Sequence, residues 1–516
     1  MYKVTLLFIL CLGGVFLSGQ ESLVPADFCG SNQGRSKWLQ QFQQSPESFR
    51  KGGDTTLYVA MTVHLLGTDE GAAYYSKNTL LDAFCKLNES FAPAGIQFFL
   101  AGDVLYHNNS GYYRHTTVLE GADMMFTYNV PNTLNTYFVS DPAGNCGYNL
   151  PYAGIANAIS CSSANDITWS HEVGHGLSLP HPFFGWEGGI NWDDTDPPNF
   201  ADAAPERVTA DYTFFQDTLI LDTLIIDTVY VERTDGSNCS FAADGFCDTT
   251  PDYLASRWTC NGTGVSAVVQ HDPADVAFQS NGSLIMNYAN DACQNQFSPQ
   301  QQEAMRAFLL ARRANWLSAA PALPPTTETA NLTLPLDGAT VDNSEPLLSW
   351  EAVPQATGYL VQVSRLNSFP PALTDNYLTH TNSLTTDTLS NDRTYFWRVR
   401  AFNGYHTCTA FSERQSFITT APVVGTQFIR ELTQWRIMPQ PLVAGQDLRL
   451  EWEMSQPWEG RLEGYNQLGQ PFWIQELQLQ PGSNNTLINT HDLPRGVYLL
   501  RMVNATGQQV RKIILQ

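Results

Sequence analysis

The residues in this 516-residue chain best spaced to do chemistry are His171-Glu172-Val173-Gly174-His175. On a helix, side chains four residues apart share a face one turn apart, so the imidazoles of His171 and His175 can share a metal ion. Glu172 follows the first histidine directly, which carries its carboxylate round the helix towards the place a water on that metal would occupy. Zn²⁺ lowers the pKa of such a water, and a carboxylate so placed takes its proton as the water attacks a carbonyl. His181, six residues beyond His175, offers a third imidazole.

Such a site needs a scaffold, and the sequence around it alternates strand and helix signals. Leu57-Tyr58-Val59-Ala60-Met61-Thr62-Val63-His64 reads as a strand. Ser76 to Phe91 reads as a helix, because Leu80, Leu81, Phe84, Leu87 and Phe91 recur every three to four residues, with Ser76 or Asn78 as its cap. Ile96 to Leu100 and Leu134 to Val139 read as further strands. This order predicts a mixed α/β domain over residues 53–318 that carries the histidines. The preceding residues 20–52 are polar and rich in glutamine (Gln33, Gln40, Gln41, Gln43, Gln44) and read as a short extension or propeptide.

A chain this long predicts several domains. With 43% hydrophobic and 15% charged residues, wholesale disorder is excluded. A net charge of -23 makes nucleic acid and anionic membrane surfaces unfavourable partners. An acidic surface suits a soluble extracellular protein, and some of its aspartates could take Ca²⁺. Lys3, the apolar runs Val4 to Leu12 and Val15 to Leu17, and the small residues Ser18-Gly19 read as a signal peptide over residues 1–19. That run is too short to span a bilayer, and no later stretch reaches 18 apolar residues, so the mature chain is expected to carry no transmembrane segment. Of ten cysteines, Cys11 leaves with the signal; four of the other nine lie between residues 239 and 293, which predicts disulfides made in an oxidising compartment. Their spacing, without CxxC pairs, argues against a structural zinc cluster. An odd count leaves at least one thiol free or with a special task.

At Ala319-Ala320-Pro321-Ala322-Leu323-Pro324-Pro325 the composition shifts to that of an extended linker, taken as residues 319–328. Beyond it the helical period gives way to short alternating runs such as Leu347 to Glu351, Gly358 to Val363 and Thr394 to Ala401. Over residues 329–420 this pattern resembles a fibronectin type III domain. Residues 435–516 end in Gly496-Val497-Tyr498-Leu499-Leu500-Arg501-Met502 and Val510-Arg511-Lys512-Ile513-Ile514-Leu515. They resemble the C-terminal sorting domain of the type IX secretion system, which implies outer-membrane secretion machinery as a partner. The expected architecture is therefore multidomain: an α/β catalytic domain followed by two all-β sandwiches.

The segment HEVGHGLSLPH resembles the metzincin zinc signature HExxHxxGxxH. The resemblance implies zinc held by His171, His175 and His181, with Glu172 as general base. Downstream, Ser283-Leu284-Ile285-Met286-Asn287-Tyr288 resembles the metzincin Met-turn. It implies Met286 as a floor beneath the metal and Tyr288 as stabiliser of the oxyanion. Asp244-Gly245-Phe246-Cys247-Asp248-Thr249-Thr250-Pro251-Asp252, together with Phe297-Ser298-Pro299-Gln300, is similar to segments of the pappalysin/cytophagalysin family of metzincins. That likeness covers about Thr56 to Leu317. It implies crossed disulfides Cys239–Cys260 and Cys247–Cys293, and Ca²⁺ held by Asp244, Asp248, Thr250 and Asp252; apart from the likeness, Cys146 and Cys161 are read as a third pair.

Two features depart from the signature. Ser178 stands where the family has a glycine that ends the helix left-handed, at a cost of ~1–2 kcal/mol for a residue with a Cβ. Residues 186–237 form an insertion whose near-repeat from Asp217 to Val229 predicts an added hairpin. Cys29, before the catalytic domain, is either a latency thiol that occupies the zinc or the partner of Cys85 in a disulfide. Asp291 is a candidate to bias a side-chain pocket towards Arg or Lys. The expected function is a secreted zinc endopeptidase acting on proteins or peptides; the alternative is a non-catalytic adhesin whose zincin domain has degenerated at Ser178.

Overall fold

The computed structural model describes residues 27–31, 34–50, 52–53, 55–151, 153–187, 198–211, 226–420, 429–440, 442–443, 446–491, 493–504 and 507–516. The signal peptide read at residues 1–19 lies outside them. The chain forms two compact units, Met1–Leu332 with Trp350–Ser383 and Trp397–Arg414, and Thr333–Ser349 with Leu384–Phe396 and Gln415–Gln516.

In the first unit, β1 (Asp27–Cys29) and helix α1 (Lys37–Gln44) belong to the N-terminal extension. They are followed by β2 (Leu57–Gly67), α2 (Lys77–Phe91), β3 (Ile96–Leu100), β4 (Leu105–Asn108) and α3 (Val118–Tyr128). Next come β5 (Leu134–Val139), β6 (Asn145–Leu150), β7 (Gly154–Ala158), α4 (Thr168–Gly176) and α5 (Pro299–Arg312). The strands form one seven-stranded sheet in the order β1-β6-β7-β5-β2-β3, with β4 also on β2. β7, β5, β2, β3 and β4 pair with one another in parallel, whereas β6 runs antiparallel to β7.

β2 is buried on both faces, which is why its sequence is an almost unbroken apolar run rather than an alternating one. One face packs Val59, Met61, Val63 and Leu65 against Phe84, Leu87 and Phe91 of α2 and Trp169, Val173 and Leu177 at α4. The other packs Leu66, Tyr137 and Tyr148 against Val118, Ala122 and Met125 of α3. α3 was not foreseen, although Thr117 and Glu120 form a capping box that marks its start. In the insertion, Arg207–Asp211 pairs antiparallel with Ile226–Tyr230; the centre of the near-repeat lies outside the described residues.

The first unit also ties strand Gly358–Ser364, paired antiparallel with Thr374–Thr379, to the α/β layer. A Cys85–Cys408 disulfide joins this part to α2, Arg400 is ion-paired with Asp82, and the Leu100 N–H donates to the Gly404 carbonyl (2.9 Å), which caps the edge strand β3. The second unit contains the antiparallel sheets Leu432–Met438, Leu448–Met454, Gly482–Ile488 and Pro471–Leu479, Trp458–Tyr465, Gly496–Val503, Gln508–Leu515. Leu448, Leu450, Trp452 and Met454 alternate inward to meet Leu462, Leu500 and Met502 in one core.

The disulfides correct the crossed pairing that the family likeness implied. Cys239 bonds to Cys247 and Cys260 to Cys293, at Cα separations of 5.0 and 6.2 Å, while Cys146–Cys161 forms at 5.5 Å. Cys239 and Cys247 bracket a run of tight turns that brings them within bridging distance, while Trp258 pairs with Ala289 and carries Cys260 alongside Cys293. Among the described residues Cys29 alone is a free cysteine, and Cys85, its alternative partner, is taken by Cys408.

Candidate metal centre

α4 presents His171 and His175 on one face, and both are buried. The helix ends immediately after. The Ser178 N–H donates to the His175 carbonyl (2.8 Å) and the Leu179 N–H to the Gly174 carbonyl (3.0 Å), with Ser178 itself left-handed at φ 77°. Ser178 therefore adopts the conformation for which a glycine is ordinarily chosen, and the turn returns His181 to the other two histidines.

The Nε2 atoms of His171, His175 and His181 lie 3.0–3.2 Å apart. Each Nδ1 faces an acceptor: the Ile285 carbonyl for His171 (2.8 Å), the Leu179 carbonyl for His175 (2.8 Å) and the Glu187 carboxylate for His181 (3.2 Å). With each Nδ1 carrying the ring proton, three Nε2 lone pairs converge with no proton between them, an arrangement that calls for a cation. The Cys29 Sγ lies 3.5 Å from the His175 Nε2, and all four ligand atoms fall within 4.8 Å of one another. A tetrahedral centre with bonds of about 2.0–2.1 Å to nitrogen and about 2.3 Å to sulfur would set these atoms about 3.3 and 3.6 Å apart, so the donor set fits zinc.

Glu172 is wholly buried; its Oε2 accepts from the Ser31 hydroxyl (3.0 Å) and its Oε1 has no hydrogen-bond partner. Burial pushes its carboxyl up to about 8. Burial also holds His171 and His175 well below the usual imidazole range and takes His181 down to about 3, so the rings stay neutral and able to ligate. The Cys29 thiol is raised, first by burial and then by Glu172; a cation among the imidazoles acts in the opposite direction on both groups.

Met286 is buried beneath the helix: a Cβ on Gly174 would stand 2.4 Å from its sulfur, so Gly174 leaves the room that Met286 fills. The Tyr288 ring packs on His181 and Phe183, and its hydroxyl donates to the Cys29 carbonyl (3.2 Å). Asp291 does not line a free acidic pocket: its oxygens accept from the Ile167 N–H at the start of α4 and pair with Arg257.

The four calcium candidates differ in their surroundings. Asp248 uses both oxygens to accept from the Ser298 hydroxyl and the Gln300 N–H at the start of α5, and Thr250 is exposed. Asp244 and Asp252 are buried, each with one oxygen hydrogen-bonded and one without a partner. Among the described residues, none of these carboxylates belongs to a group of three or more His, Cys, Asp or Glu ligand atoms within 4.8 Å of one another.

Sequence reasoning missed Glu187 and Ser31. Glu187 is buried, accepts from the Gly185 N–H (3.0 Å) and holds the His181 ring by its Nδ1. It lies in the segment taken as an insertion, with no motif to mark it. A carboxylate behind a ligating imidazole fixes the ring and raises its basicity. Glu187→Gln is therefore expected to weaken Zn²⁺ binding about 10- to 100-fold, read by competition with a chromophoric chelator; unchanged affinity would show that the carboxylate has no such role.

Known proteins resemble parts of the chain. An extracellular metalloprotease of Pyricularia oryzae is 31% identical over 157 residues, covering 27% of this chain and 52% of the relative. One of Colletotrichum graminicola is 28% identical over 201 residues, covering 32% and 68%. The chain thus spans about half the length of the first relative. Among solved structures, a mutant of promirolysin from Tannerella forsythia is 17% identical, with 56% of this chain and 96% of that one covered and a TM-score of 0.36. Among the described residues, no helix is long and apolar enough to cross a membrane. Residues 446–516 match the family of secretion system C-terminal sorting domains, which addresses the chain for secretion.

Proposed function

We propose that this chain is a secreted zinc-dependent endopeptidase of the pappalysin-like metzincin type, exported as a latent precursor. The observation that carries the reading is the meeting of three inward-facing Nε2 atoms with a buried carboxylate and a tyrosine hydroxyl. His171, His175 and His181 would hold the Zn²⁺, with the Cys29 sulfur in the fourth place of the latent chain. When bound, the metal acts as a Lewis acid on water and on the substrate carbonyl.

The remaining steps belong to this chain's own side chains. Glu172 takes the proton of the attacking water and returns it to the departing amine. Tyr288 donates to the carbonyl oxygen as negative charge gathers there; its hydroxyl already donates to a peptide carbonyl, that of Cys29. β1 pairs with β6 in parallel. Its departure would leave β6 as an open sheet edge beside the histidines, where an extended substrate can add as a strand. The C-terminal domain would be read by the outer-membrane secretion machinery, and the strands of residues 329–420 suit a fibronectin type III-like module.

The test is digestion of a proteome-derived peptide library by activated protein, read by mass spectrometry. Internal cuts that vanish with a chelator and return with Zn²⁺ are expected. A library left intact by zinc-loaded protein would overturn the reading.

A further inference from the structure

We infer that the latent state has a second catch: beside the Cys29 thiol, Ser31 holds Glu172 through its own hydroxyl. This rests on the peptidase reading for its functional meaning, but the contact itself does not involve a metal ligand.

Ser31 is a completely buried polar side chain. Its hydroxyl has one proton, for which the Glu172 Oε2 at 3.0 Å is the nearer acceptor and the Asn149 carbonyl at 3.5 Å the farther. The Ser31 Oγ itself accepts from the Asn149 N–H of β6 at 2.7 Å. Ser31 therefore bridges the sheet edge and the carboxylate, so that Glu172 is fastened to β6. Its backbone N–H points to the Cys29 sulfur at 3.2 Å, which links the two catches.

The residue between them shows how tightly the segment is fitted. The Gly30 N–H donates to the Gly147 carbonyl of β6 (2.8 Å), and a Cβ on Gly30 would stand 2.9 Å from the Asn145 side chain. A glycine lets the backbone lie this close to β6 without displacing the Asn145 amide, and that closeness brings Cys29 and Ser31 to their separate targets. Two residues, Cys29 and Ser31, thus engage three groups of the site: the Cys29 sulfur meets the histidines, the Cys29 carbonyl meets Tyr288, and the Ser31 hydroxyl meets Glu172. A general base held by a donor on the blocking segment is not available to an incoming water. Loss of the thiol alone leaves this hold in place.

The test compares the full chain with its Ser31→Ala, Cys29→Ala and double variants. Hydrogen exchange is measured first on metal-free protein, where a thiol–metal bond plays no part. Ser31→Ala is expected to speed exchange of the Asn149 and Gly30 amides about tenfold or more. With Zn²⁺ added, the double variant is expected to cleave peptides at least tenfold faster than Cys29→Ala. Faster exchange with no cleavage by any variant supports the contact and removes the peptidase reading. Unchanged exchange, or a double variant no faster than Cys29→Ala while both cleave, overturns the second catch.

Discussion

Glu172→Ala is expected to lower peptide hydrolysis by activated protein about 10²- to 10⁴-fold while leaving zinc binding intact. The size follows from its position. Oε1 is buried beside the histidines without a hydrogen-bond partner, and Oε2 meets the Ser31 hydroxyl of the blocking segment, which also brings the Cys29 thiol to the carboxylate. Once that segment leaves, the carboxylate faces the site with no other proton to accept than the water's. Its methylene lies close to Gly147 of β6, where an added Cβ would come within 2.9 Å of the Glu172 Cγ, so the side chain has little freedom to swing away. Alanine removes the proton acceptor but no ligand, since His171, His175 and His181 keep their Nδ1 anchors on Ile285, Leu179 and Glu187. The measurement is the initial rate on a peptide identified in the library digest, with zinc content determined on the same sample. A variant that retains wild-type rates with zinc bound would remove Glu172 from the chemistry and leave the adhesin reading to be taken up.

Much of this site is legible because part of it is local. His171, Glu172 and His175 lie within one turn and a half of helix, and spacing alone predicts which side chains share a face. The helix read from Ser76 to Phe91 spans Lys77–Phe91 for the same reason, with Ser76 as its cap. Met286 and Tyr288 are distant in sequence, so only likeness to a known motif singles them out. Glu187 and Ser31 carry no such mark: each acquires its role from a contact that the fold creates, with His181 in one case and with a carboxylate 141 residues away in the other. Disulfide connectivity is illegible on similar grounds, because the sequence counts cysteines but the turns and strand pairings decide which sulfurs meet. Ser178 shows the reverse problem. Its identity argues against a left-handed helix end, yet the chain adopts φ 77° there, with the Ser178 hydroxyl 2.9 Å from that of Ser36 in the N-terminal extension. The strain is modest beside the ligand geometry that the turn makes possible.

Cys29→Ala should raise the peptidase activity of the intact zinc-loaded chain roughly 10- to 100-fold. A tethered ligand competes at the high effective concentration that its attachment gives it, and tethering commonly adds a factor of about 10²–10⁴; the lower end is expected here because Ser31 still engages Glu172. The thiol is suited to the role. It is the free cysteine of the described residues, it is buried, and it lies with the three histidines in one ligand-sized group. Alanine keeps β1 on β6, since that pairing and the Gly30 N–H to Gly147 carbonyl bond belong to the backbone. The increase therefore reports the loss of one ligand rather than the loss of the segment. A spectroscopic signature separates the two further: Co²⁺-substituted wild-type protein should show thiolate-to-cobalt charge transfer in the near ultraviolet, and the variant should not. If the variant matures no faster, shows no early activity and leaves the cobalt spectrum unchanged, Cys29 is a buried structural thiol and the hold on the site must come from β1 and Ser31.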